Sequence, residues 1–414
     1  MNQNPAAEMA HVAWSRQVSI YQVNLRQYTP EGTIKAFAAQ LPRLKKMGVE
    51  LIWLMPLQPI GKLNRKGSLG SYYSISDYRA VNPEFGSLGD ARQLIEQAHG
   101  LGIKVILDWV ANHSAWDHPW THSHKDWYKQ DAKGEIFPVT FNSGPEPEYW
   151  TDVVGLDYEN PALREAMIAE MAFWVREVNI DGFRCDVASL LPTDFWEQAR
   201  RELDAIKPMF MLAESDQADL HRAAFDMRYG WDLADLMKAI GKGHAGAKEL
   251  RDWVGKESAY PGHAYRMNFT SNHDFNSWHG TDAELYGEAY QALAVLSFTL
   301  PGMPLIYGGQ EARLTRRLEF FEKDPIDWKT LELEAFYSGL LALKKNNPAL
   351  ANGQYGAPVL LLDAGNQQLL AFSRQLGSNK VTVAVNLSNQ AQTFQLNGRP
   401  RQLPAWQWQV ESSL

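Results

Sequence analysis

The stretch GFRCDVAS, residues 182–189, carries the side chains best placed for chemistry. A short apolar strand there ends on Arg184 and Asp186. Side chains two residues apart point to the same side of a strand, so a guanidinium and a carboxylate share one face at the strand's carboxyl end. A neighbouring cation lowers a carboxyl pKa, which predicts an ionised Asp186. An ionised, oriented carboxylate is what covalent catalysis needs as a nucleophile. Taken alone, the same pair also reads as a structural salt bridge. Cys185 faces the other way and reads as a small buried hydrophobe.

Other polar groups end other apolar stretches. Asp108, Asn112 and His113 close KVILDWVANH, Glu214 closes MFMLAE, and Asn272, His273 and Asp274 follow residues 265–270. Burying such groups is costly without partners. Asp186, Glu214 and Asp274 converging on one rim with Arg184 and two His point to a reactive site rather than to separate ion pairs.

Eight apolar strand candidates, at 18–24, 49–56, 104–110, 182–187, 209–213, 224–229, 265–270 and 304–307, must position these groups. Helical patterns lie between most of them: 33–47, 88–101 with Ser87 as N-cap, 161–178, 193–206, 283–300 and 331–345. Such alternation over this length predicts an α/β fold, a closed (β/α)8 TIM barrel with its chemistry at the carboxyl ends of the strands. The barrel takes residues 1–113 and 158–350. A small insert domain, 114–157, follows strand three. A C-terminal all-β sandwich domain covers 351–414, where short strands (359–362, 369–372, 381–386) alternate with turns.

Composition is that of a globular chain: 414 residues, 45% hydrophobic and 21% charged, with only the first dozen residues reading as disordered. The net charge of -8 and scattered basic residues argue against a nucleic-acid partner. No apolar run reaches the ~18 residues of a membrane span. A single cysteine excludes an internal disulfide. The 15 Trp, 16 Tyr and 17 Phe exceed what a core alone would ask and suit stacking on sugar rings, whose CH faces are apolar. The opening MNQNPAAEMA reads either as a mature start after signal removal or as a cytoplasmic start. A secreted or periplasmic location is slightly favoured, and a monomer is expected.

The motifs DWVANH (108–113), GFRCDV (182–187), LAES (212–215) and TSNHD (270–274), with GSYYSISDYRAVNPEFGS (70–87) and YGGQE (307–311), together resemble the alpha-amylase family of retaining glycoside hydrolases. The match runs in order from about residue 18 to 328. The resemblance implies that Asp186 is the nucleophile, Glu214 the general acid and then base, and Asp274 a transition-state stabiliser that holds sugar hydroxyls. It implies that His113 and His273 bond hydroxyls of the sugar being cleaved, with Tyr73 stacked under it and Arg184 keeping Asp186 ionised. A raised Glu214 pKa is expected from an apolar surround and neighbouring carboxylates. Asp77 reads as a loop-holding residue.

The resemblance also marks departures. Asn112 matches a structural calcium ligand, but Gly155 stands where a ligand Asp is usual, and Ser189 and Leu190 stand where many amylases have Lys and His. The Leu190 carbonyl could serve in place of the His carbonyl, and Asp152 or Asp157 could move in. Glycine offers no anionic oxygen to a hard cation, so Asn112 is a metal ligand only if calcium binds. No cofactor is required for the chemistry. The short insert, with Trp116, Trp120, Trp127 and Trp150, predicts an open cleft suited to endo attack, with Trp116 as an outer sugar subsite and the other three as packing residues. The absence of an extra N-terminal domain argues against neopullulanase-like and branching-enzyme-like members.

The leading function is cleavage of alpha-1,4-glucosidic bonds in starch and maltodextrins, with an alpha-glucan or malto-oligosaccharide as partner. The alternatives are an alpha-glucosidase or 4-alpha-glucanotransferase on the same scaffold, and a non-catalytic sugar- or partner-binding barrel. The presence of Arg184, Asp186, Glu214 and Asp274 argues against the last. A catalytic metal lacks a supporting HExxH or His-x-His spacing.

Overall fold

A computed structural model describes residues 9–142, 146–256, 262–396 and 398–413. Its strands, in chain order, are β1 (Ile20–Val23), β2 (Leu51–Leu54), β3 (Lys104–Trp109), β4 (His113–Ala115), β5 (Pro138–Phe141), β6 (Glu148–Gly155), β7 (Gly182–Cys185), β8 (Phe210–Ala213), β9 (Met227–Tyr229), β10 (Tyr265–Phe269), β11 (Met303–Tyr307), β12 (Leu360–Leu361), β13 (Leu369–Leu376), β14 (Asn379–Asn386), β15 (Gln392–Leu396), β16 (Arg399–Leu403) and β17 (Trp408–Ser413). Eight of them close a parallel barrel in the order β1-β11-β10-β9-β8-β7-β3-β2. Most barrel strands are apolar on both faces, as a sheet covered inside and out requires, with polar Arg228, Arg266 and Asn268 the outward residues of β9 and β10.

The period of two sorts the strand residues. Ile20, Trp53, Ile106, Leu212, Met227, Met267 and Leu305 fill the barrel interior. The residues next to them, among them Tyr21, Ile52, Leu107, Phe183 and Cys185, pack outward beneath the helices. Extending the inward set toward the carboxyl ends gives Gln22, Asp108, Arg184 and Glu214, so the polar rim continues the core's own register. Gly182 opens this set on β7 because a side-chain carbon there would collide with the Phe210 carbonyl oxygen.

The helix Leu88–Gly100 begins as expected, with Ser87 and Asp90 forming a reciprocal capping box. Two other helices differ. The 33–47 segment splits into Ile34–Ala38 and Leu41–Met47, where Pro42, lacking an N–H, opens the second piece. The 283–300 segment breaks at Gly287, whose φ of 55° no helix accommodates. The disorder expected of the first dozen residues does not extend to all of them: residues 1–8 lie outside the described residues, but His11 is buried against Asp226 (Nδ1–Oδ1 2.6 Å).

After β3 comes a three-stranded antiparallel sheet, β4-β6-β5. Beyond the barrel, β12-β13-β14-β17 form an antiparallel sheet. Its Leu370, Phe372, Val381, Val383 and Val385 pack toward the barrel side. Leu369, Ala371 and Ala384 point the opposite way and are covered by Phe394, Leu396 and Leu403 of the β15–β16 hairpin. The result is a two-layered C-terminal β unit. Arg374, fully buried, stitches it on by donating to the carbonyls of Ala357 (2.8 Å) and Thr299 (3.0 Å).

Candidate active site

Arg184 is the hub of the rim. Its Nη1 lies 2.9 Å from both Asp108 Oδ1 and Asp186 Oδ1, its Nη2 lies 2.7 Å from Glu214 Oε1, and its Nε donates to Tyr229 Oη (3.2 Å). The Nη2 approach is a charge contact, because that N–H does not aim at the oxygen. Asp108 and Arg184 are register partners on β3 and β7. Both are wholly shielded from water.

One guanidinium cannot neutralise three carboxylates, and that excess governs the protonation states. Asp186 and Glu214 face the same guanidinium, so each carboxyl also feels the other's charge. Burial pushes Glu214 up to about 8, against the pull of Arg184, with Asp186 and Asp274 adding to the rise. Burial likewise pushes Asp108 and Asp186 up to about 6, with Arg184 opposing. The expected low Asp186 is thereby corrected: desolvation outweighs one guanidinium shared three ways. At neutral pH the set still leaves Asp186 ionised and the proton on Glu214.

Glu214 Oε2 accepts from the backbone N–H of Val187 (2.8 Å). Val187 holds a φ of 38°, left-handed backbone that a β-branched residue adopts only under strain, on the order of 1–3 kcal/mol. That strain aims an N–H at the carboxyl.

The histidines are neutral. Desolvation pushes His113 and His273 down to about 4. His273 N–H donates to Gln22 Oε1 (3.3 Å), which turns the Gln22 amide nitrogen toward His273 Nδ1 (2.7 Å). Nδ1 therefore accepts, and Nε2 donates to Tyr73 Oη (2.8 Å), whose own proton goes to Asp108 Oδ2 (3.0 Å). Trp53 Nε1 also donates to Asp108 Oδ2 (3.1 Å). A single chain of bonds thus runs from Gln22 through His273 and Tyr73 to Asp108 and Arg184.

These groups sit at the floor of a cavity of about 830 Å³ lined by Tyr73, His113, Asp186, Glu214, His273 and Asp274 among others. Asp274 is half-open, with 39% of its side chain exposed, and stands 3.4 Å from His273 Nε2. Two aromatic walls rise from the floor. Phe141 stacks on Trp150 on the side of β5 and β6 (centroids 5.0 Å apart). Trp278 packs on Phe320 opposite (5.2 Å) and is 50% exposed.

Trp116 is not among the lining residues. Its Nε1 donates to the Thr151 carbonyl (3.0 Å), and its ring packs against the core. Trp150, expected to be a packing residue, lines the cavity instead. Asp77 caps its own loop by accepting from Arg79 N–H (2.9 Å). Asp108 stands at a strand end but its sequence context assigns it no role, and Gln22, Trp278 and Phe320 carry no motif. Following the inward register of β1 would have found Gln22.

The acids near Asn112 that could hold calcium have other partners. Asn112 donates its amide nitrogen to His113 Nδ1 (3.1 Å), which leaves its Oδ1 as the oxygen a cation would use. A side chain at Gly155 would meet the Lys129 stem at 3.4 Å. Asp152 faces Lys66 (3.2 Å), and Asp157 accepts from Glu159 N–H (3.2 Å). Among the described residues no group of three or more His, Cys, Asp or Glu could hold a metal ion.

A family model for the alpha-amylase catalytic domain matches residues 14–333, and the chain belongs to that family. It is 28% identical over 407 residues to the alpha-amylase MalA of Haloarcula japonica, covering 93% of this chain and 57% of that protein, so it spans little more than half of that relative's length. The crystal structure of an alpha-amylase from Lactobacillus plantarum superposes with a TM-score of 0.85 at 28% identity, covering 96% of this chain and 99% of that one. A noncanonic maltogenic alpha-amylase, AmyB from Thermotoga neapolitana, superposes with a TM-score of 0.82 at 27% identity, covering 96% of each chain.

Proposed function

We propose that the protein is a retaining glycoside hydrolase that cleaves alpha-1,4-glucosidic bonds in starch, maltodextrins and related alpha-glucans by double displacement. The observation that carries this reading is the placing of Asp186 and Glu214 on one guanidinium, with burial raising Glu214 further than Asp186. It supplies an ionised nucleophile and a protonated acid side by side, as retaining enzymes need, rather than two carboxyls held further apart around a water.

In the first step Glu214 gives its proton to the glycosidic oxygen as the bond to the anomeric carbon breaks. Asp186 attacks that carbon and forms an ester, and the reducing-side sugar leaves with the proton. In the second step the Glu214 carboxylate takes a proton from water as the water attacks the same carbon. The ester breaks, Asp186 regains its charge and Glu214 its proton. Asp274, His113 and His273 bond the sugar hydroxyls. A neutral His273 suits a donor role, since its Nε2 proton can turn from Tyr73 to a hydroxyl without adding charge. Tyr73 stacks beneath the ring. Arg184 and Asp108 keep the carboxyls apart in protonation state rather than touching sugar.

The reading is tested by following maltoheptaose cleavage with proton NMR. The first-formed product should carry the alpha configuration. A beta-configured first product, or no cleavage of any alpha-glucan, refutes it. Glucose alone would favour an alpha-glucosidase, and chains longer than the substrate a glucanotransferase.

A further inference from the structure

Residues 61–70, between β2 and Tyr73, form a strap that touches both walls of the cleft. On one side Lys66 Nζ meets Asp152 Oδ1 on β6 (3.2 Å), and Lys62 N–H donates to Asp117 Oδ2 (2.8 Å). On the other, Leu69 N–H donates to the Phe321 carbonyl (3.1 Å) and Ser68 N–H to Glu322 Oε1 (2.7 Å). The strap is braced within and from below. Arg65 donates to the carbonyls of Gly61 (2.7 Å) and Ile60 (2.9 Å), and Arg26 to that of Gly70 (3.0 Å). Lys66, Asp152 and Phe321 all line the cavity, so the strap is its end wall.

The strand order gives this wall a chemical direction. Glu214 follows β8, which stands opposite β1 in the barrel. The strap crosses the β1–β2 sector, from the β3 insert to the loop after β11. The acid protonates the oxygen of the leaving, reducing-side sugar, so that side of the substrate extends over Glu214. The non-reducing side extends toward Tyr73 and meets the strap.

We infer that residues 61–70 close the non-reducing side of the cleft, so that the enzyme accepts alpha-glucans by their free non-reducing end and releases short products, with Lys66 on Asp152 as a specificity-determining contact. This rests on the hydrolase reading above and reverses the open-cleft, endo-acting expectation on that side. A rigid wall rejects a longer or bulkier chain end by steric exclusion rather than by weaker attraction.

The test compares two maltoheptaosides on the full chain, one free and one with an ethylidene bridge across two hydroxyls of its terminal non-reducing sugar. Cleavage of the free substrate with at least roughly tenfold lower kcat/KM on the capped one is expected. Equal rates on both overturn the inference and leave the hydrolase reading standing. No cleavage of either overturns the hydrolase reading and this one with it. Lys66→Ala should raise the capped-to-free ratio and lengthen the products released. An unchanged ratio removes Lys66 from the assignment.

Discussion

Replacing Asp108 with Asn alters the charge around Arg184 while keeping the side chain's shape, and the effect on the pH profile can be worked out. Asp108 and Asp186 each place an oxygen 2.9 Å from the same Arg184 nitrogen, so those oxygens stand no further apart than twice that distance. At an effective dielectric near 20, two full charges at roughly 5–6 Å repel by about 3 kcal/mol, equivalent to about two pH units. Burial holds Asp108 itself at about 6, so where Asp186 titrates Asp108 carries only part of its charge. The full repulsion is then roughly halved, to about one pH unit. Asp186 attacks only when ionised, so the acid limb of kcat/KM follows its ionisation, which Asp108 opposes. Asp108→Asn should therefore move that limb to lower pH by about one unit. Glu214 is also relieved of a like charge, so the basic limb moves the same way. Initial rates on a maltodextrin well below KM, across roughly pH 4 to 9, measure both limbs. An acid limb that stays in place, or moves to higher pH, refutes the claim that three carboxyls share one guanidinium.

Wild-type enzyme should show a bell-shaped profile whose limbs reflect Asp186 near 6 and Glu214 near 8, titrating as a coupled set. Glu214→Gln should cost about 10²–10⁴-fold on maltodextrins and recover its first step on an activated alpha-glucosyl fluoride, which needs no proton. A loss equal on both substrates would refute the acid role. Asp186→Asn should abolish turnover with the thermal transition intact, since Arg184 keeps Asp108 and Glu214. Trp278→Ala should raise KM for long maltodextrins by roughly two- to tenfold, the worth of one stacked ring. Trp116→Ala should lower Tm and leave KM unchanged, and the reverse pattern would restore Trp116 to the cleft. Chelation with EDTA should leave Tm unchanged, whereas a fall of several degrees would reveal a bound cation that Asn112 and its neighbours do not explain.

How much of this site was legible depended on whether a residue lay on a strand. Arg184, Asp186, Glu214 and Asp274 stand at or just past strand ends, where a period of two and an apolar run fix both position and direction. The same register held Asp108 and Gln22, but their roles depend on which strands are neighbours. The pairing of β3 with β7 joins segments separated by the whole insert, and no local pattern announces it. The protonation state of Asp186 is hidden from the sequence for a related reason. A single Arg two residues away predicts a low pKa, and only the folded barrel brings Asp108 and Glu214 to compete for that Arg. The tryptophans show the limit most plainly. Trp116 follows the DWVANH motif closely and Trp150 does not, yet Trp116 is held by the Thr151 carbonyl and Trp150 by its stack on Phe141. The first contact is set by the pairing of β4 with β6 and the second by that of β5 with β6. A residue's distance in sequence from a motif says little about its reach toward the substrate when the intervening chain doubles back. The strap makes the same point for specificity. Its Lys66 carries no motif, and its meaning comes from an Asp far along the chain and from a barrel order that sets Glu214 on the opposite rim.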